Sequence, residues 1–351
     1  MRPTLRGPDG AIEAPWILAG HPLEPDASFR HKVLPSIAVC WGALAIEKPV
    51  RKAFMTSIPE FLEMVTSIDG VSEMPVFFIG GLPRSGTTWL QQLIDAHPEV
   101  VCLGESQFMS GLSGQLGRVV ANHSERRGED AAVWAPASRG FQRGGVVRLM
   151  RVAYVELVRA NIGDRDLSRT ALIGEKTPEN IMHLGRIYAL FPKAKFIHVM
   201  RDGRDGAISA WSRFRAKLPA EMSWEEYVGW YAKEWVERNR KGLADCNPGA
   251  SILVQYETLH RDTLAEATRI FEFLGVSSDS EIVAQAVSAA SFEALSGGRR
   301  QGQVDPKSHY RRGEVEGWRT EFDEAALAAF ESVAGDALAE WGYPSGLVSS
   351  A

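Results

Sequence analysis

Between a run of strand-forming residues, Pro75-Val76-Phe77-Phe78-Ile79, and a helical pattern beginning near Thr87, the chain carries Gly81-Leu82-Pro83-Arg84-Ser85-Gly86-Thr87-Thr88. This stretch limits the fold more than any other. β-Branched and aromatic residues favour the strand, and Trp89, Leu90, Leu93 and Ile94 recur at helical spacing before Pro98. Glycines five residues apart let the backbone turn its amides toward one point, where the positive end of the helix also lies. Such a strand, loop and helix grip an anion, and the hydroxyls of Thr87 and Thr88 add donors.

Further apolar runs follow at Val100-Val101-Cys102-Leu103, Ala171-Leu172-Ile173, Lys195–Met200 and Ser251–Gln255. Helical patterns separate them, at Val146–Ile162, from Pro178 to Leu190, at Gly203–Phe214 and at Trp224–Leu243. Others follow at Thr263–Leu274, Glu281–Ala290 and Glu324–Ala339. This alternation predicts an α/β fold, a parallel sheet flanked by helices, with ligands bound beyond the carboxyl ends of the strands. Two domains are expected. Residues 75–345 form the core domain, with a helical, acceptor-side insertion at about 106–170. Residues 1–74 form a helical extension packed on it, with helices at Val33–Glu47 and Val50–Ile68.

The charge of -5 argues against sequence-independent nucleic-acid binding. Cys40, Cys102 and Cys246 suit neither a disulfide framework nor a CxxC metal site, which points to a reduced, intracellular protein. Arg2 and Arg6 have no apolar stretch behind them, and Val33–Ile46 is too short to span a bilayer and contains Pro35. A cytoplasmic protein without membrane attachment is therefore expected, and a homodimer is compatible with these features.

The glycine spacing is that of a P-loop, but where a P-loop has lysine this chain has Thr87, and the loop's cation is Arg84. The P-loop lysine reaches the β- and γ-phosphates while its hydroxyl residue holds magnesium, so this loop is ill suited to γ-phosphoryl transfer. Pro83-Arg84-Ser85-Gly86-Thr87-Thr88-Trp89-Leu90 resembles the 5′-phosphosulfate loop of the sulfotransferases. Those enzymes use 3′-phosphoadenosine-5′-phosphosulfate (PAPS), release PAP and need no metal. The resemblance implies a P-loop-NTPase-like sulfotransferase fold, with donor contacts from Arg84, Ser85, Gly86, Thr87, Thr88 and Trp89.

Further elements appear in the family's order. Arg201 ends a strand and Ser209 lies eight residues on, as in the family pair that holds the 3′-phosphate. Arginine suits that task because it binds phosphate through two donors and stays charged. Arg204 is read as an exposed partner of Asp205. Tyr310-Arg311-Arg312-Gly313, with Trp318 beyond, resembles the loop that closes on the 3′-phosphate, although Glu316 stands where a second glycine is usual. Arg311, Arg312 and Gly313 are thus expected to bind the donor. Ile252–Glu257 resembles a family strand whose tyrosine lies near the adenine; Tyr256 either does so or is a buried strand-end residue.

Sulfuryl transfer to a hydroxyl needs a base for the acceptor's proton and a cation for the leaving phosphate. Asp95-Ala96-His97-Pro98 and Gly104-Glu105 resemble the glutamate-dependent branch, which includes tyrosylprotein and some carbohydrate sulfotransferases. That implies Glu105 as base. In the same branch a lysine precedes a proline, as Lys176 does in Gly174-Glu175-Lys176-Thr177-Pro178; Lys176 and Arg84 are expected to share the cationic role. His97 and His198 suit structural positions, whereas His123 and His309 stay in reserve as bases. The aromatic stripe Tyr227, Trp230, Tyr231, Trp235 has the spacing of a core face.

The expected function is a PAPS-dependent O-sulfotransferase acting on a hydroxyl of a small molecule. The alternatives are a P-loop kinase and a non-catalytic nucleotide-binding protein of the same fold.

Overall fold

The computed structural model describes residues 73, 75–133, 140–300 and 315–346. Its centre is one parallel sheet of β1 (Val76–Gly81), β2 (Val100–Leu103), β3 (Leu172–Lys176), β4 (Lys195–Met200) and β5 (Ser251–Gln255), in the order β2-β3-β1-β4-β5. The central strand β1 is buried throughout, which explains its unbroken apolar character. Alternation sends Phe77 and Ile79 into one face of the core and Val76 and Phe78 into the other.

Helices in chain order are α1 (Thr87–Asp95), α2 (Ser113–Val133), α3 (Arg143–Ile162), α4 (Leu184–Leu190), α5 (Gly203–Phe214) and α6 (Trp224–Asp245). Then come α7 (Tyr256–Arg261), α8 (Thr263–Leu274), α9 (Ser280–Ala289), α10 (Phe292–Leu295), α11 (Trp318–Glu321) and α12 (Glu324–Glu340). α1, α8 and α9 cover the face of Phe77, through Leu90, Leu93, Ile270 and Phe271. α3 and α4 cover the opposite face, through Tyr154 and Ile187. A third cluster joins α5, α6 and α12 around Met200 and Leu82, at the end of β4 and the start of the loop after β1. The switch between the two halves of the sheet therefore carries apolar support right up to the loops beyond it.

The fold is the expected α/β one, with local differences. β3 runs on through Gly174, Glu175 and Lys176, because pairing with β1 on one side and β2 on the other outweighs their weak strand preference. A side chain at Gly174 would stand 2.0 Å from the Phe77 ring, so the glycine is dictated by packing. The helix expected from Pro178 to Leu190 is divided into a 3₁₀ turn, Pro178–Met182, and α4. Tyr256 opens α7 because ladder pairing stops at Gln255. The helices expected at Val33–Glu47 and Val50–Ile68 lie outside the described residues.

Candidate active site

The loop between β1 and α1 is shaped by close backbone approaches. A Cβ on Gly81 would meet the Val199 carbonyl oxygen at 2.3 Å, so β4 runs directly against the loop. The Ser85 hydroxyl donates to the Leu82 carbonyl at 2.7 Å and its amide donates to the same oxygen at 3.1 Å. Ser85 therefore closes the turn. Arg84 at φ 76° and Gly86 at φ 94° occupy the left-handed region. Gly86 is the N-cap of α1 and offers no side-chain cap, while the first amides of a helix have no carbonyl partner within it. The loop thus has the donors of an anion cradle.

A Cβ at Gly86 would also fall 2.3 Å from the Tyr256 ring. Gly86→Ala is accordingly expected to cost about 1–3 kcal/mol from backbone strain, with displacement of Tyr256 in addition. Urea denaturation would measure the loss; a stability equal to wild type would show that the loop relaxes freely.

Around this cradle the sheet gathers several of the residues picked out from sequence. Arg84 Nε donates to Ser209 Oγ at 3.0 Å, joining the loop to α5. Arg201 Nη1 donates to the Arg84 carbonyl at 3.4 Å, and its guanidinium lies 4.4 Å from the centre of the Tyr256 ring. Arg201 also faces Asp205 at 3.5 Å, and burial raises that carboxyl above the usual range. Burial likewise raises the Tyr256 hydroxyl, so the phenol is neutral beside the guanidinium. Trp89 meets Tyr256 edge-on at 5.5 Å and anchors its indole N–H on the Ala290 carbonyl at 2.9 Å. Arg84, Gly86, Trp89, Arg201, Ser209 and Tyr256 form one cluster.

The aromatic stripe of α6 is core, as expected, and it also supports both loops. Trp235 Nε1 donates to the Arg201 carbonyl at 2.9 Å, and the Tyr231 hydroxyl lies 3.5 Å from the Pro83 carbonyl. Arg204 differs from expectation. It is fully buried, forms two hydrogen bonds to Asp202 at 3.0 and 2.8 Å, reaches Glu331 at 2.9 Å and stacks 3.6 Å over Trp318. Asp205 instead accepts from the Trp318 amide at 2.9 Å.

Glu105 and Lys176 meet at the ends of β2 and β3. Lys176 Nζ stands 2.6 Å from Glu105 Oε1 and 3.2 Å from Thr88 Oγ1. The lysine side chain is 4% exposed and the glutamate 41%, so a buried cation holds a carboxylate that solvent can still reach. Register explains the reach: Lys176 pairs with Ile79, just before the loop. The lysine that the loop itself lacks is thereby delivered from the neighbouring strand to the start of α1. Thr87 is buried at that start.

Glu175, which the sequence reading passed over, is 1% exposed in the middle of the sheet. It accepts from the amide and hydroxyl of Ser106, both at 3.0 Å, from Thr177 Oγ1, and from Asn180 Nδ2 at 2.7 Å. Burial pushes its carboxyl upward, and the hydrogen bonds from Thr177, Asn180 and Ser106 oppose that shift. The available signal was a carboxylate directly after an apolar run and beside Thr177 and Asn180, since buried carboxylates need several donors.

The histidines fall as expected. His97 is buried, contacts the Ser277 carbonyl at 2.9 Å and packs on Phe271. His198, bonded to Asn239 at 2.9 Å, is lowered by burial to about 4 and stays neutral. Arg311, Arg312, Gly313 and His309 lie outside the described residues.

Comparison with known proteins agrees with this architecture. The sequence pattern of the Sulfotransferase family matches residues 75–280. A protein-tyrosine sulfotransferase of Drosophila melanogaster is 32% identical over 214 residues, covering 58% of this chain and 38% of the relative. Protein-tyrosine sulfotransferase A of Caenorhabditis elegans is 27% identical over 228 residues, covering 63% and 56%. The chain thus spans about half the length of these relatives or less. The crystal structure of mouse sulfotransferase SULT7A1 complexed with PAP superposes with a TM-score of 0.50 at 17% identity, over 78% of this chain and 92% of that one, and shares the fold.

Two expectations are overturned by these relatives. A small-molecule acceptor does not stand beside relatives named for sulfating protein tyrosine. It rested on the lack of an export segment, which says nothing about an acceptor pocket. The cytoplasmic location falls on the same finding, since cysteine spacing and a polar leader are not address signals. Among the described residues no helix is long and apolar enough to cross a membrane. With its pattern matched from β1 to the first residue of α9 and the glycine-bearing loop after β1 at the head of that match, the chain belongs to the sulfotransferase family.

Proposed function

We propose that this chain transfers the sulfuryl group of PAPS to a tyrosyl hydroxyl of a protein, without a metal, using Glu105 as base. The observation that carries this reading is the position of Lys176 Nζ, 2.6 Å from Glu105 and 3.2 Å from Thr88. Base, cation and donor loop share one point at the sheet edge. The names of the relatives support a tyrosyl acceptor.

The glycine cradle and two guanidiniums suit a donor with anions at both ends. Gly86, Thr87 and Thr88 would hold the 5′-phosphosulfate with Ser85 keeping the turn closed; Arg201 and Ser209 would hold the 3′-phosphate. Trp89 and Tyr256 would flank the adenine, and Arg311, Arg312 and Gly313 would complete the 3′ site. In the transfer the phenol oxygen bonds to sulfur as the bond from sulfur to the phosphate oxygen breaks. Glu105 takes the phenolic proton, while Lys176 and Arg84 face the negative charge left on PAP. Residues 1–74 would form a helical extension, and the helical insertion at 106–170, which begins one residue past Glu105, would supply the acceptor side of the 75–345 domain. A kinase reading has no support from the family or from this loop.

Titration calorimetry in a chelator tests the donor assignment. Arg201→Lys keeps the charge but loses the planar fork, so PAP affinity should fall by about 10- to 100-fold, in line with the worth of a charged hydrogen bond. Adenosine 5′-phosphosulfate, which lacks the 3′-phosphate, should lose little. Equal losses for both ligands, or wild-type binding that requires magnesium, would sink the assignment.

A further inference from the structure

The segment after β2 carries Glu105, and its backbone is suspended from one buried side chain. Three consecutive amides converge on Glu175. The Ser106 amide donates to it directly at 3.0 Å. The Gln107 amide donates to Thr177 Oγ1 at 3.3 Å, and that hydroxyl donates to Glu175. The Phe108 amide donates to Ser106 Oγ at 3.2 Å, and that hydroxyl donates to Glu175 at 3.0 Å. Gln107 sits at φ 51°, a left-handed conformation that a non-glycine residue holds only under constraint. The other carboxylate oxygen accepts from Asn180 Nδ2 at 2.7 Å, and the same nitrogen lies 3.2 Å from the Ile79 carbonyl, two residues before Gly81. One carboxylate therefore joins the end of β2, where Glu105 sits, to the end of β1, where the donor loop begins.

Its neighbour in sequence works from the opposite side of the strand. Lys176 holds the Glu105 side chain, while Glu175 holds the backbone that follows it. Glu105 is itself 41% exposed and projects from the edge of the sheet. A lysine contact alone leaves its backbone free to swing, and misplacing a reacting group by 1 Å can cost about 100-fold in rate.

We propose that Glu175 is the positioning residue for the base: buried and bonded on both carboxyl oxygens, it sets where Glu105 stands relative to the donor loop. This rests on the reading of Glu105 as base. It adds a residue that touches neither substrate and acts only through the loop it holds. The Ser106 and Thr177 donors all fall on Oε1, which a glutamine carbonyl oxygen could replace, but glutamine would turn an N–H donor instead of Oε2 toward Asn180 Nδ2, so the bond that joins this loop to the end of β1 is broken.

A double-mutant cycle tests the proposal with the full chain, radiolabelled PAPS and a library of tyrosine-containing peptides. Glu175→Gln should lower turnover about 10- to 100-fold, with PAP affinity by calorimetry within about twofold of wild type. In a Glu105→Gln background the same change should alter the residual rate less than about twofold, because a group acting through Glu105 has nothing left to position. Equal losses in both backgrounds, or a parallel loss of PAP affinity, would make Glu175 merely structural and overturn the proposal. Unchanged turnover in Glu175→Gln would overturn it too. If Glu105→Gln alone left turnover intact, the base assignment would fail instead, and the two failures are separate readings. Should Glu175→Gln fail to fold, Ser106→Ala removes one hydroxyl donor and one relay; it should give a smaller loss with the same dependence on Glu105, and additive losses would count against the proposal.

Discussion

Glu105→Gln should lower the rate of sulfuryl transfer about 100- to 10,000-fold while PAP affinity stays within about twofold of wild type. Glutamine keeps an oxygen that can accept from Lys176 Nζ, now 2.6 Å from the carboxylate, so the geometry of the pair survives. What it loses is the ability to take a proton. The Arg84–Ser209 hydrogen bond and the Arg201–Tyr256 ring contact do not involve Glu105, which is why ground-state binding of PAP should not register the change. Single-turnover kinetics with saturating PAPS separates the chemical step from binding. A rate equal to wild type would transfer the base role to a histidine. His97 and His198 are committed to the core, so the search would turn to His123 and His309.

Arg204→Leu should cost about 3–5 kcal/mol of stability, because it leaves buried carboxylates without their cation. The guanidinium is 0% exposed and serves Asp202, Glu331 and the Pro344 carbonyl while stacking on Trp318. These contacts tie α5 to α11, to the middle of α12 and to the segment that follows it, beside the strand end that carries Arg201. Asp202 also caps α5 by accepting from the Arg204 amide at 2.9 Å, so one lost side chain loosens a helix start as well. Urea denaturation of the two proteins gives the difference. A loss below about 1 kcal/mol would mean that water or a shifted partner replaces the guanidinium, and that the network is not what fixes the loop after β4.

Local patterns made much of this fold legible. β2 and β4 fall on the runs expected because a strand buried on both faces is a continuous apolar stretch; β5, a half-buried edge strand, was legible from its apolar Ile252-Leu253-Val254 run. The strand, turn and helix around Gly81–Thr88 were legible because glycine spacing, a following helix and hydroxyl residues are all local features. β3 was cut short because Gly174, Glu175 and Lys176 do not look like strand residues; only the ladders on either side hold them extended.

The meeting of Lys176 with Glu105 could not be derived from spacing. It follows from the order β2-β3-β1, which brings residues 71 apart into contact at one sheet edge. Arg204 was misread because an aspartate next to it offered a simpler partner. The missed signal was Gly203 and Gly206 in one helix. A Cβ on the first would lie 2.5 Å from Phe330 and on the second 2.6 Å from the Tyr231 hydroxyl. Helix starts packed that closely are buried, and an arginine between such glycines is buried with them. The acceptor was misjudged for a different reason, since nothing in the residues read as donor grip bears on what receives the sulfate.

The most direct test of the account is transfer itself. The protein should be incubated with radiolabelled PAPS, a chelator and a library of tyrosine-containing peptides, and the labelled residue identified by mass spectrometry. Label on tyrosine oxygen, with PAP released in equal amount and no label transferred by Glu105→Gln, is the predicted result. PAP binding without transfer to any tyrosine, or transfer undiminished in Glu105→Gln, would contradict it.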